Sequence, residues 1–175
     1  TPPGTKGVQP MFDNLSLDMF GYLMPNNPPP PNLRDFQRQK LYRFEEVTVQ
    51  KHPFNQDLTL PECTTLARKY NPRIKVKDGR GRRHAGASFG ENLITLPRWS
   101  RQTVVVLHEI AHTLVDDRKY PHHGAEFVGV LFALLSQESI STIPELCEAA
   151  NRSKLRFDRN WIYRYPHQTR RSARL

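Results

Sequence analysis

The sequence predicts an α+β fold, in which a small sheet and several helices share one core. The segment from Arg101 to Asp117 is apolar over a length that suits a buried helix better than a strand. Residues 124–137 form a second apolar helical segment. Between residues 73 and 97, short β-branched stretches alternate with glycine-containing turns, which is typical of a small sheet. We therefore expect a small, mostly antiparallel sheet with flanking helices.

The 175 residues are enough for one compact domain, and their composition divides the chain into three parts. Residues 1–32 hold eight of the fifteen prolines and are predicted to be a proline-rich extension. Residues 33–150 are predicted to form the domain. Residues 151–175 carry eight basic side chains against one acidic side chain, and we expect a basic, aromatic tail.

The domain is predicted to open with helices. Residues 33–46 have apolar side chains on one face, which predicts an amphipathic helix, and residues 47–50 could continue as a strand. Pro61 suits the first turn of a second helix that ends before Asn71-Pro72.

Strands and further helices are predicted to follow. Residues 73–77, 82–89 and 91–97 have strand-like patterns, separated by turn signals that include Asp78-Gly79 and Gly90. Ser100 is a suitable N-cap for the long apolar helix. Pro144 is predicted to open a last short helix.

The strongest chemical signal is the pentapeptide His108-Glu109-Ile110-Ala111-His112. Residues four apart on a helix share a face, so both imidazoles can reach one Zn²⁺ ion. Glu109 can take a proton from a metal-bound water, whose pKa zinc lowers toward ~7. The apolar neighbours predict that this helix is buried, and burying such polar groups without partners is costly. No C-x-x-C pair accompanies the motif, which argues against a cysteine zinc knuckle.

A catalytic zinc site usually has a third protein ligand. The segment after the motif helix offers His123, His122 and Glu126. We favour His123, because it directly precedes Gly124 at the start of the next predicted helix, and we keep His122 and Glu126 as alternatives.

The pair HEIAH and HGAEF resembles the small predicted metallohydrolases found mostly in actinobacteria and is distantly similar to SprT-like proteases. RDFQRQKLYRFEE also resembles the family's early RDxQRxxVY helix, and DGRGRRHAGASFGENLITLPRWSR resembles its strands and LP-W lead-in. The similarity covers roughly residues 34–136. It implies a zincin-like fold with an HExxH active-site helix, hydrolase activity, and His123 as third ligand, but no particular substrate.

Three weaker expectations concern the surroundings of this site. The strand Glu91 to Leu96 could pair with an extended peptide. Tyr120 and His84 could stabilise an oxyanion. Asp116 and Asp117 could orient a ligand histidine.

We therefore predict a zinc-dependent metallopeptidase or related amide hydrolase that acts on a peptide or protein. One alternative is a structural component of an assembly such as a virion, held through residues 1–32, that keeps the metal site. Another is a nucleic-acid-associated SprT-like protease, since the net charge is +9 and the basic tail and residues 73–83 are rich in lysine and arginine. With no secretory signal and no apolar run long enough to span a membrane, we expect a cytoplasmic location without membrane contact, with membership of an assembly left open.

Overall fold

The computed structural model describes residues 33–164 and the backbone of two short strands nearer the N-terminus. The chain divides into two compact units, Thr1–Pro31 and Asn32–Leu175. In the first unit, β1 (Leu15–Leu17) pairs with β2 (Leu23–Pro25) in an antiparallel ribbon. The proline run at residues 28–31 and the end of the predicted tail, residues 165–175, lie outside the described residues.

Two helices open the second unit. Helix α1 spans Arg38–Thr48, so residues 47 and 48 end a helix and do not begin a strand, which corrects the expectation for that stretch. Helix α2 spans Leu60–Tyr70 and starts with a capping box, in which Thr59 and Glu62 satisfy each other's backbone amides. Pro61 lies in its first turn, as predicted.

The sheet is mixed, which corrects the expectation of a mostly antiparallel one. Its strands are β3 (Lys75–Asp78), β4 (Gly86–Ser88) and β5 (Leu93–Leu96), and β5 lies in the centre. β5 runs parallel to β3 and antiparallel to β4. The parallel pairing arises because the chain leaves β3, forms β4 on the far side, and then returns between the two.

The position of β5 also overturns one expectation about substrate binding. Residues 91–96 contain β5, and both sides of this strand are already paired within the sheet. An extended peptide therefore cannot add to it. In the part of the chain that the structure describes, β4 presents a free edge, and β4 packs against the helix that carries the HExxH motif.

That helix, α3, spans Thr103–Leu114, and most of its residues are buried, as the sequence predicts. Ser100 is not its N-cap. Ser100 lies in a short 3-10 turn, Arg98–Ser100, where its hydroxyl donates a hydrogen bond to the Pro97 carbonyl, and Gln102 occupies the cap position.

The remaining helices are α4 (Ala125–Gln137), α5 (Ile143–Arg152) and α6 (Arg159–Arg164). α5 has a capping box between Thr142 and Glu145. α6 falls in the segment predicted to be a tail, but it packs closely on α4, and Leu155 and Ile162 are buried in the core.

Helices α3 and α4 form the centre of this core. They bury aliphatic and aromatic side chains against α1, α2, α5 and the sheet. Among the helices described, none has the length and apolarity needed to cross a membrane.

The contact between α4 and α6 depends on Gly129. A Cβ atom there would lie 2.5 Å from the backbone carbonyl oxygen of Asp158 and 2.9 Å from the Cβ of Trp161. We expect Gly129→Ala to lower the free energy of unfolding by about 1–3 kcal/mol, because the backbone of α6 must move and this outweighs the gain in helix propensity. Urea denaturation followed by circular dichroism measures the change.

Gly86→Ala is the matched control, because a Cβ at Gly86 meets no atom within 4 Å. Its stability should stay close to that of the wild type. A more stable Gly129→Ala variant would contradict the close packing of α6 on α4.

Candidate metal centre

Helix α3 places His108 and His112 one turn apart on the same face, as their spacing predicts. His108 and the adjacent Glu109 are buried, and His112 is half-buried. Val106, Leu107, Ile110 and Ala111 anchor the other faces of the helix in the core. The polar side chains are therefore held in an apolar setting, where they need specific partners.

The loop after α3 brings a third imidazole to this face. His123 directly precedes Gly124, the residue before α4, and only 4% of its surface is exposed. One ligand atom each from His108, His112 and His123 lie within 4.8 Å of one another. His122 is exposed, and neither it nor Glu126 belongs to this group. Of the three candidates for third ligand, the structure brings His123 to the other two histidines.

Two carboxylates from the N-terminal part of the domain hold two of these rings. Glu45 on α1 lies 2.7 Å from Nδ1 of His108, and Asp35, just before α1, lies 2.7 Å from Nδ1 of His123. Both pairs are largely shielded from solvent. A carboxylate at Nδ1 favours the tautomer with the proton there, which leaves the Nε2 lone pair of each ring for a metal.

Gln37 fixes the backbone around His123. Its side-chain amide donates to the carbonyls of His123, at 2.8 Å, and Arg156, at 3.0 Å. The amide of Arg156 donates in turn to Gln37 Oε1 at 3.0 Å. This buried glutamine therefore connects the start of α1, the loop that carries the third histidine, and the segment before α6.

The protonation of the three rings differs. Burial and the neighbouring imidazoles of His108 and His123 hold the pKa of His112 well below its usual value. Burial also lowers the pKa of His123, despite its bond to Asp35. Burial opposes the charged form of His108, but the Glu45 carboxylate outweighs it and raises the pKa of His108. His112 and His123 thus favour the neutral form that metal coordination requires.

The donor set fits zinc. Nε2 of His123 is buried and, among the described residues, has no hydrogen-bond partner. Such an orphaned atom needs an explanation, and a metal ion provides one. Three imidazoles, two of them backed by carboxylates, form the arrangement seen in carboxylate–histidine–zinc sites.

Aromatic rings and the proposed base complete the site. Phe127 on α4 packs against all three histidine rings, with centroid distances from 4.3 to 5.2 Å. The ring of Tyr42 lies 5.8 Å from that of His108 and 5.4 Å from that of His123. Burial raises the pKa of Glu109, and the charge of His108 reduces the shift.

Several side chains that the sequence suggested have other roles. Asp116 pairs with Arg118 at 2.9 Å, so it does not orient a ligand histidine. Tyr120 packs against Trp161, and His84 is exposed in the segment between β3 and β4. Neither has a recorded contact with the three histidines.

Sequence reasoning missed the residues that contact the three histidines or their backbone, namely Asp35, Gln37, Tyr42 and Glu45. The RDxQRxxVY resemblance contained the first three of these positions, but no role followed from it. The sequence did contain one indication of these roles. Gln37 and Glu45 lie beside apolar positions of the predicted amphipathic helix, where a polar side chain becomes buried and needs a hydrogen-bond partner.

The bond from Glu45 to His108 provides a test of the site. We expect Glu45→Gln to weaken zinc binding roughly tenfold, because an amide supports the imidazole less strongly than a carboxylate does. Competition titration against a chromophoric zinc chelator measures the affinity, and circular dichroism verifies the fold.

Glu46→Gln is the matched control, since Glu46 is the next residue on the same helix and is exposed. It removes the same charge without touching an imidazole and should leave zinc affinity unchanged. Equal losses in the two variants would mean that overall charge, and not support of His108, determines the affinity.

No family model, curated protein or solved structure matches the chain in the comparisons with known proteins. The case for a function therefore depends on the residues and geometry of the three-histidine site.

Proposed function

We propose that this protein is a zinc-dependent metallopeptidase or a related amide hydrolase with a zincin-like active site. The observation that carries the proposal is the convergence of three imidazoles beside a buried glutamate on the same helix. His108, His112 and His123 supply the ligands, and Glu109 lies next to the first of them.

The number of ligands favours catalysis over a structural role. Structural zinc sites usually have four protein ligands, whereas catalytic sites have three and keep one position open. Within residues 33–164, the group of convergent ligand atoms contains only the three histidines. When bound, zinc supplies a Lewis acid that polarises a carbonyl and lowers the pKa of water.

Glu109 is the proposed general base. It would accept the proton that water loses as the new C–O bond forms at the carbonyl carbon. It would then deliver that proton to the amide nitrogen, so that the C–N bond breaks and the amine leaves. Its raised pKa suits this exchange, because a carboxylic acid with a higher pKa is formed more readily near neutral pH.

Asp35 and Glu45 act as positioning residues. They orient the rings of His123 and His108 and raise their basicity as ligands. Phe127 forms an apolar wall under the rings and excludes water from that side. These groups hold the ligands in place before substrate arrives, which reduces reorganisation during the reaction.

A peptide is the substrate class that the surroundings support best. The free edge of β4 lies in the sheet that packs on α3. An extended peptide could pair with this edge through main-chain hydrogen bonds, largely independent of its sequence.

Tyr42 is the proposed hydrogen-bond donor to the developing oxyanion. Its ring lies beside two of the ligand histidines, and burial raises the pKa of its hydroxyl. The hydroxyl therefore stays protonated at neutral pH and remains available as a donor.

Replacement of the base tests the reaction. We expect Glu109→Gln to retain about one zinc per chain, because Glu109 is not a ligand, and to lose about 10²–10⁴-fold in turnover. Elemental analysis measures the metal, and mass spectrometry of a defined peptide library detects new termini.

His123→Ala and the adjacent His122→Ala form the control pair. The first should lose most of its zinc and all turnover, whereas the second should keep both. A wild type that takes up no zinc, or a Glu109→Gln variant with full turnover on a confirmed substrate, would overturn the proposed function. A zinc-loaded wild type without turnover on any amide would favour a structural, assembly-related role.

Replacement of Tyr42 tests the oxyanion donor. We expect Tyr42→Phe to bind zinc normally and to lower kcat about 10²-fold with little change in KM, since the bond forms mainly in the transition state. Steady-state kinetics on a peptide that the wild type cleaves in the library experiment provides both constants. Tyr120→Phe, whose ring packs on Trp161, is the control, and equal effects in the two variants would contradict the assignment.

A further inference from the structure

An open cleft lies at the opposite end of α3 from the histidines. Its volume is about 1100 Å³, and it extends from the loop after β3 to the 3-10 turn and the N-cap of α3, Gln102. At 1.5 Å per residue, Gln102 lies about 9 Å along the helix from His108 and about 15 Å from His112. The cleft is therefore separate from the candidate metal centre.

Guanidinium groups dominate the charge of this cleft. Its lining includes Arg80, Arg82, Arg98 and Arg101, with Asp57 and Asp78 as the acidic members. Arg101 is neutralised by Asp78 at 2.8 Å. The other three arginines are exposed and form no ion pair with any described residue. Apart from the Arg101–Asp78 pair, the cleft lining therefore contains three positive charges and one negative charge, that of Asp57.

An aromatic ring is exposed in the same cleft. Trp99, between Arg98 and Ser100 in the 3-10 turn, has 60% of its surface exposed. Other arginines of the domain lie over aromatic rings, such as Arg118 over Phe89 and Arg164 over Trp161. Within the described part of the chain, Trp99 has no such contact with a cation or with another aromatic ring. With 60% of its surface exposed and no such contact, the Trp99 side chain is accessible to a ligand in the cleft.

The turn that carries Trp99 is firmly held. Pro97 is buried, and a Cβ at Gly79 would lie 2.5 Å from its nitrogen, so the loop after β3 packs tightly on the start of the 3-10 turn. Arg101 also donates to the carbonyl of Leu96 through two nitrogens, each at 3.2 Å. The loop after β3 and the 3-10 turn, which carry the arginines of the cleft, are thereby held against each other.

We propose that this cleft binds single-stranded nucleic acid, with the three free arginines on its phosphates and a base stacked on Trp99. Cationic grooves that carry aromatic platforms are the means by which proteins hold single strands without reading sequence. A duplex keeps its bases stacked inside and cannot offer one to the indole. The proposal does not require zinc and stands apart from the proposed hydrolase activity.

Binding of a fluorescently labelled oligothymidylate to the full-length chain tests the proposal by fluorescence anisotropy. Trp99→Ala should weaken binding about tenfold to a hundredfold, through loss of one stacked base. The triple replacement of Arg80, Arg82 and Arg98 by glutamine should also weaken it. The triple variant should lower the slope of log affinity against log salt concentration by up to about 2, as expected for three lost phosphate contacts.

The control variant replaces Lys40, Arg43 and Arg68 by glutamine. These side chains are exposed on α1 and α2, away from the cleft lining, and their removal changes the net charge equally. The basic C-terminal residues are present in every variant, so their contribution cancels in the comparison. Circular dichroism melting curves show whether each variant is folded.

The expected result is normal binding by the control and weak binding by both cleft variants. Equal losses in the control and the arginine variant would mean that nucleic acid follows general surface charge, and would overturn the site. Normal binding by Trp99→Ala with weak binding by the arginine variant would mean that the cleft holds a polyanion through its phosphates alone, and would overturn the proposed single-strand site. Absence of binding by the wild type at low salt would also refute the proposal.

Discussion

Two buried carboxylate–imidazole pairs are the constraint on which the arrangement of this domain depends. Glu45 with His108 and Asp35 with His123 place four polar groups where solvent barely reaches them. Removal of one partner leaves the other as a buried polar group without its hydrogen bond, which typically costs about 1–3 kcal/mol and more where that group is charged. The start of α1 must therefore lie across both α3 and the loop before α4, whatever the packing of the other helices.

This constraint explains why residues distant in sequence meet at the candidate metal centre. Gln37 joins the backbone of His123 to that of Arg156, and the latter residue leads into α6. α6 in turn packs on α4, the helix that begins beside His123 and carries Phe127. His123 is consequently held from two sides, by α1 and by the C-terminal segment, although it lies in a loop.

Helix α3 separates two chemically different surfaces. Its C-terminal part carries His108, His112 and a buried glutamate, whereas its N-terminal end borders an open cleft with three free guanidinium groups. The apolar side chains between them anchor the helix in the core. A buried core helix can thus serve both regions, and changes in the cleft should have little effect on the arrangement of the three histidines.

Local periodicity and apolar content were sufficient to predict the helix that carries the HExxH motif, its burial, and the shared face of His108 and His112. The sequence also favoured His123, the histidine that the structure brings to this group, although His122 and Glu126 remained open because loop conformation is not encoded in spacing. The tertiary structure decided the parallel pairing of β3 with β5, the packing of α6, and the roles of Asp35, Gln37 and Glu45. These features depend on contacts between segments far apart in sequence. For Asp35, Gln37 and Glu45 in particular, the hydrogen-bond partner lies on another segment that folding brings close, so neighbours in the chain do not reveal it.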